Sequence, residues 1–283
     1  MGKGIIAIIT DFGLDNWYPG VMRGSILEVN PEARIVDLCH NITKHDICEA
    51  GFVLGISFSH FPEGTIFLCV VDPGVGGERN NLIVETEDYL FVAPDNGLLS
   101  VISNRVDVKA AYAVEEGEFT RKLDSGATFL GRDIFAPIAA HLSLGTEPGR
   151  IGDMVDSILT IPLRKPYLDQ SNTIIGKVEY IDSFGNIITN VSLNYLNEVF
   201  RDDIPWDNCL IRIADNELTR ISRYYAQSSR GELVALINSW GYLEIAVNCG
   251  NAYEYLGRND KDSMDIRISS NRLHYRSADT YNA

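Results

Sequence analysis

The chain has 283 residues, enough for two domains, and 45% of them are hydrophobic, which provides a packed core and excludes global disorder. Its 39 acids against 24 bases leave a formal charge of −15, a balance that disfavours nucleic acid and anionic membrane surfaces as partners. No apolar run reaches membrane-spanning length. The first residues lack the charged region and cleavage site of a signal peptide, and no Ser or Thr follows Met1-Gly2 at the myristoylation position. The five cysteines, Cys39, Cys48, Cys69, Cys209 and Cys249, are odd in number, widely spaced and without a CxxC pair. They read as reduced thiols of a cytoplasmic protein rather than as disulfides or a zinc site.

In chain order, Ile5 to Thr10 is a β-branched strand that ends on Asp11-Phe12-Gly13. Asp-Phe-Gly also occurs in kinases, but the other kinase motifs are missing, so that reading is rejected. A helix over Met22 to Val29 stops at Asn30-Pro31, and Ala33 to Leu38 is a strand. Asp46 to Phe61 carries apolar residues at helical spacing and predicts a mostly buried helix. His40, His45 and Asp46 lack metal-ligand spacing and suit a surface or hydrogen-bonded role.

The apolar run Thr65 to Val71 is a buried strand whose end delivers Asp72. The Gly- and Pro-rich loop Pro73-Gly74-Val75-Gly76-Gly77 follows, and then Arg79. Alone, Asp72-Pro73-Gly74 is an ordinary turn. In an open α/β sheet, however, ligands bind outside the carboxyl ends of strands, and two such ends here carry an aspartate, Asp11 and Asp72. Asn81 to Thr86 and Tyr89 to Ala93 predict a hairpin around Glu87-Asp88. Asn96-Gly97 is a turn and Leu98 to Ile102 a short helix. Arg132 to Leu144 is helical, with Pro137 bending it or marking a late start. Arg132 and Asp133 suit an ion-pair partner and a first-turn acid. The alternation predicts an α/β N-terminal domain with a largely parallel sheet over residues 1–165.

Between Ile161 and Thr173, prolines and a polar Asp169-Gln170-Ser171-Asn172 segment mark a linker. Beyond it strands are predicted at Thr173 to Ile181, Ile187 to Val191, Leu210 to Ile213, Leu233 to Asn238 and Tyr242 to Val247. Residues 166–283 therefore read as an all-β, barrel-like domain with a polar, partly loose tail from Asn259. Asp182-Ser183-Phe184-Gly185-Asn186 is a tight turn offering a carboxylate and an amide. Asn238-Ser239-Trp240-Gly241-Tyr242 is a second polar turn, where Ser239 suits a carboxylate, and backbone groups near Asn248 suit a purine edge. Each turn taken singly is structural punctuation.

As an ordered set, these segments resemble the S-adenosyl-L-methionine (SAM) hydroxide adenosyltransferases, or SAM hydrolases, relatives of the SAM-dependent fluorinase and chlorinase. The matching pieces are Ile9-Thr10-Asp11-Phe12-Gly13, Tyr18-Pro19-Gly20-Val21-Met22-Arg23-Gly24, Val71-Asp72-Pro73-Gly74-Val75-Gly76, Ala93-Pro94-Asp95-Asn96-Gly97, Thr128-Phe129 with Gly131-Arg132-Asp133-Ile134-Phe135-Ala136-Pro137, and the turns at Asp182 and Asn238. The resemblance implies a homotrimer whose sites lie where one subunit's N-terminal domain meets a neighbour's C-terminal domain. It implies that Asp11 holds the ribose hydroxyls and that Phe129 contacts substrate. Asn186 and the backbone around Asn248 would hold adenine, and Asp182 and Ser239 the amino and carboxylate groups of the methionine part. Asp72 and Arg79 match two members of the hydrolases' Asp-Arg-His set. The third falls on Leu130, which predicts a drier pocket and slower turnover. The halogenases carry Tyr where Asp72 stands. Gly131 is the small residue shared by the hydrolases and the chlorinase.

The implied reaction is attack of water on C5′ of the ribose, giving adenosine and L-methionine. The leaving group departs as a neutral thioether, so an aligned nucleophile and a base suffice. No motif implies a metal or an organic cofactor. Two other readings stay open: a catalytically weak SAM or adenosine binder, and a chlorinase-like halide transferase.

Overall fold

The structure, a computed structural model, describes residues 4–122, 126, 128–257 and 260–270. The chain divides into two compact units, Met1–Leu163 and Arg164–Ala283.

The first unit comprises β1 (Ile5–Thr10), α1 (Tyr18–Val29), β2 (Arg34–Cys39), α2 (Ile47–Ser57), β3 (Ile66–Val70), β4 (Asn81–Thr86), β5 (Leu90–Pro94), α3 (Ser100–Ser103), β6 (Val108–Val114), α4 (Ala136–Ser143), α5 (Pro148–Ile151) and β7 (Asp153–Met154). Its sheet runs β2-β1-β3-β5-β4-β6-β7, parallel from β2 to β5 and antiparallel beyond. β1 and β3 are apolar almost throughout because helices cover both faces. Ile6, Ile8, Ile66, Leu68 and Val70 face a cluster with Met22 and Ile26 of α1 and Ala136, Ile138 and Ala139 of α4. The alternate residue Phe67 stacks on Phe91 of β5, with centroids 5.3 Å apart, and meets Phe61 edge-on after α2.

Helix α1 begins at Tyr18, four residues earlier than its apolar spacing predicts, with Pro19 in its first turn where no N–H is needed. The segment Gly131–Phe135 is a π-helical turn that passes into α4, with the Ala136 N–H bonded to the Gly131 carbonyl. Pro137 has no N–H to donate, so the regular ladder starts only after the change of register.

The second unit comprises β8 (Tyr167–Leu168), β9 (Ile174–Ile181), β10 (Ile187–Ser192), α6 (Leu193–Phe200), β11 (Leu210–Ile213), β12 (Asn216–Leu218), β13 (Leu233–Ile237), β14 (Tyr242–Val247), α7 (Ala252–Tyr255) and β15 (Asp265–Ser269). The antiparallel sheet runs β12-β11-β15-β9-β10-β14-β13, with β8 added to β9. Its end strands β12 and β13 approach each other, so the sheet is a nearly closed barrel. Ile174, Val178, Ile187, Val191, Leu243, Ile245, Ile266 and Ile268 fill it.

Two elements here are not apparent from periodicity. Helix α6 is eight residues long and anchored by buried Leu196 and Phe200, with Ser192 capping its start by accepting the Tyr195 N–H. The expected loose tail is, over 260–270, a short turn followed by β15, which lies between β11 and β9 in the barrel wall. Residues 258–259 and 271–283 of that tail lie outside the described residues.

Candidate active site

The register of β1 and β3 pairs Thr10 with Val70, so both strands end together. Asp11 and Asp72 thus leave the same edge of the parallel sheet on adjacent strands. Asn96 donates from Nδ2 to the Val71 carbonyl at 2.8 Å, pinning the chain where β3 ends. Gly97, at φ +94°, lets the following turn form with Ile161 packed where a β-carbon would stand.

Asp72 is held in a fork by Arg79. Nε donates to Oδ1 at 2.9 Å and Nη2 donates to Oδ2. The same guanidinium donates from Nη1 to the Asn80 carbonyl at 2.9 Å and to Asn81 Oδ1 at 2.7 Å. Its plane rests 5.5 Å from the ring centre of Phe135 in the π-helical turn. The side chains are largely buried, with 5% of Asp72 and 12% of Arg79 exposed. A bidentate pair of this kind fixes carboxylate orientation while leaving lone pairs free for a further donor. Leu130, immediately before the π-helical turn, is 7% exposed and sits in the cluster containing Val70, Ile134 and Phe135.

Asp11 accepts the backbone N–H of His45 on Oδ2 at 2.9 Å, and His45 takes a positive φ of 68° there. Beneath it lies a network in which His40 takes the hydrogen-bonded role, while its partners Thr10, Asp37 and Arg23 were not foreseen. The ring of buried His40 bridges Thr10 Oγ1 at 2.8 Å and Asp37 Oδ1 at 2.9 Å, and Asp37 is gripped by Arg23. Burial raises the Asp37 carboxyl, but hydrogen bonds from Arg23 and His40 outweigh it and leave a net lowering. The Phe12 N–H donates to Thr10 Oγ1 and the Gly13 N–H to the His40 carbonyl. His40 therefore props the Asp11-Phe12-Gly13 turn from below. Phe129 packs edge-on against Phe12 and Tyr18, with centroids 5.8 and 5.0 Å away. Arg132 binds its neighbour Asp133 through two contacts of 2.6 Å and lies over Phe129.

In the second unit, the Asp182 carboxylate organises its own turn. Oδ1 accepts the N–H groups of Phe184 and Asn186, and Oδ2 accepts Asn186 Nδ2, all at 2.9 Å. Gly185, at φ +79°, has Asn251 against it where a β-carbon would stand. Ser239 is exposed on the turn between β13 and β14. Asn238 holds that turn, its Oδ1 accepting the N–H groups of Trp240 at 3.0 Å and Tyr242 at 3.1 Å. Asn248, at the end of β14, donates from Nδ2 to the Ser228 carbonyl at 2.7 Å. Between the Asp182 and Ser239 turns lies Glu244, buried and unforeseen. Its signal was one charge at an alternating position inside the apolar run Tyr242–Val247.

Comparison with known proteins matches residues 6–152 to the SAM hydroxide adenosyltransferase N-terminal domain and residues 176–265 to its C-terminal domain. The chain belongs to the SAM hydroxide adenosyltransferase family. It is 30% identical to an (R)-S-adenosyl-L-methionine hydrolase of Methanocaldococcus jannaschii, covering 93% of this chain and 95% of that one. A protein of the same name from Thermus thermophilus is 31% identical, over 93% and 98%. A conserved protein from Thermotoga maritima, of known crystal structure, superposes with a TM-score of 0.84 at 36% identity, over 93% and 99%. Among the described residues, no group of three or more His, Cys, Asp or Glu is arranged to hold a metal ion. No described helix is long and apolar enough to cross a membrane.

Proposed function

We propose that this family member is a cytoplasmic SAM hydrolase that forms adenosine and L-methionine and assembles as a homotrimer. The observation that carries the reading is the Arg79 fork on Asp72 at the carboxyl end of β3, one strand from Asp11.

Asp72 accepts a proton of the attacking water on a lone pair that Arg79 leaves free. The water oxygen forms a bond to C5′ as the C5′–S bond breaks, and the electron pair leaves on sulfur. The sulfonium becomes neutral methionine, and one proton passes through Asp72 to solvent. Loss of the sulfonium charge means that no acid is needed on the leaving side. Arg79, fixed by four contacts, keeps Asp72 from rotating away. Leu130 excludes competing water but supplies no proton relay. A positioned base contributes about 10²–10⁴-fold.

Asp11 binds the ribose hydroxyls and Phe129 packs on the substrate. Asn186 and the backbone near Asn248 read adenine, while Asp182 and Ser239 hold the methionine amino and carboxylate groups. No metal or organic cofactor enters the chemistry.

The test is incubation of purified protein with SAM, with and without chloride, and separation of the nucleosides by liquid chromatography against Asp72→Ala. Adenosine above that control is expected. Intact SAM bound without product would replace this reading with a binder, and 5′-chloro-5′-deoxyadenosine would replace it with a halide transferase. Sedimentation of the same preparation checks the trimer.

A further inference from the structure

Glu244 is a charge inside the barrel wall of the second unit. It is 3% exposed, and both carboxylate oxygens are engaged. The Tyr225 hydroxyl donates to Oε1 at 2.7 Å and Asn238 Nδ2 donates to Oε2 at 3.1 Å. The orientation of the Asn238 amide is dictated by its surroundings. Its oxygen already accepts two backbone N–H groups of the Ser239 turn, so its nitrogen is left for Glu244. Among the described residues, no Lys, Arg or His forms an ion pair with Glu244. The groups acting on it are Tyr225, Asn238 and Asp182, the last a second negative charge.

The hydrogen bonds alone do not require a carboxylate. A glutamine with its oxygen toward Asn238 and its nitrogen toward the Tyr225 oxygen keeps both contacts, with Tyr225 accepting instead of donating. A buried carboxylate without a cation is costly. Burial raises the Glu244 carboxyl, and Asp182 adds to the effect against the hydrogen bonds of Tyr225 and Asn238. The fold thus carries a charge that its own packing does not need, placed between the two turns assigned to the substrate's amino-acid end.

We propose that Glu244 is a positioning residue for that end. Through Asn238 it sets the Ser239 turn, and together with Asp182 it keeps this part of the second unit negative toward a ligand that carries an ammonium and a sulfonium. The inference rests on the SAM-binding reading above.

The experiment compares SAM and adenosine binding by calorimetry in wild type, Glu244→Gln and Glu244→Asp, alongside steady-state hydrolysis. Glu244→Gln is expected to weaken SAM by about tenfold, the scale of one charge in a protein interior. Adenosine, which lacks both cationic groups, is expected to bind as in wild type. KM for SAM rises more than kcat falls, and Glu244→Asp recovers part of the affinity. Unchanged SAM affinity in Glu244→Gln, or parallel loss of SAM and adenosine, would overturn the proposal. If Glu244→Gln does not fold, equal loss of both ligands in Glu244→Asp does the same. A wild-type protein that binds no SAM at all would overturn the functional reading itself.

Discussion

Arg79 closes on Asp72 through two parallel hydrogen bonds while its remaining nitrogen is tied to Asn80 and Asn81 at the start of β4. One guanidinium therefore joins the end of β3 to the next strand and orients the carboxylate. Removing either partner from a pair this buried strands the other. Arg79→Ala is expected to cost about 3–5 kcal/mol of stability. The double variant Asp72→Ala/Arg79→Ala is expected to cost less than the two single changes added together. Denaturant unfolding of the four proteins measures that coupling, and strict additivity would remove the pair from the stability account. Adenosine formation is expected to be lost in all three variants.

The family resemblance puts Leu130 at the position of the hydrolases' histidine, and the proposed reading makes it the residue that slows turnover. Leu130→His is expected to raise kcat by about tenfold or more, toward the range of a positioned acid–base group. It also places an imidazole in a site that is 7% exposed and lined by aliphatic and aromatic side chains, so a loss of about 1–3 kcal/mol in stability accompanies the gain. Single-turnover hydrolysis with thermal unfolding of the same samples separates the effects. Turnover unchanged by the histidine would show that Leu130 does not limit the chemistry.

His40 supports the Asp11 turn without belonging to it. His40→Ala removes its ring bonds to Thr10 and Asp37 and leaves buried Thr10 Oγ1 short of a partner, at about 1–3 kcal/mol. KM for SAM is expected to rise as the turn loosens, while the Asp72–Arg79 chemistry stays intact in bound substrate. A fall in kcat at unchanged KM would contradict this assignment.

Glu244 makes a stability prediction of definite sign. Its carboxyl is raised in the folded state, chiefly by burial. Its contribution to stability is therefore full below the ordinary glutamate range and is lost as pH rises through the raised folded value. Glu244→Gln lacks this loss. The melting temperature of the variant should exceed that of wild type at pH 8, and the difference should shrink as pH falls toward 4. A wild type more stable than the variant at pH 8 would mean that the carboxylate serves the fold.

The elements that carry Asp11 and Asp72 are legible in the sequence. A strand covered on both faces must be apolar throughout, and such a run ending in Asp and Gly marks its own boundary. The turns at Asp182 and Asn238 were legible for a similar reason, since Gly, Asn and Asp are the residues that tolerate tight backbone and bond it locally. Family membership followed from the order of these segments, because a set of short motifs in sequence is specific where each alone is not.

Tertiary structure decided what depends on partners distant in the chain. Asp265–Ser269 alternates charged and apolar residues within a polar tail, and becomes β15 only because β9 and β11 offer it two open edges. Leu193–Phe200 is too short for helical period to stand out, and packing of Leu196 and Phe200 against the barrel core stabilises it. The sequence left His40 a surface or hydrogen-bonded role and gave Glu244 no role of its own within its strand, because local sequence reports what a side chain is and not what covers it. Their hydrogen-bond partners include Thr10, 30 residues from His40, and Tyr225, 19 residues from Glu244. Backbone periodicity is a local property and is written in the residues themselves, whereas burial of a charge is a sum over neighbours that only the folded chain brings together.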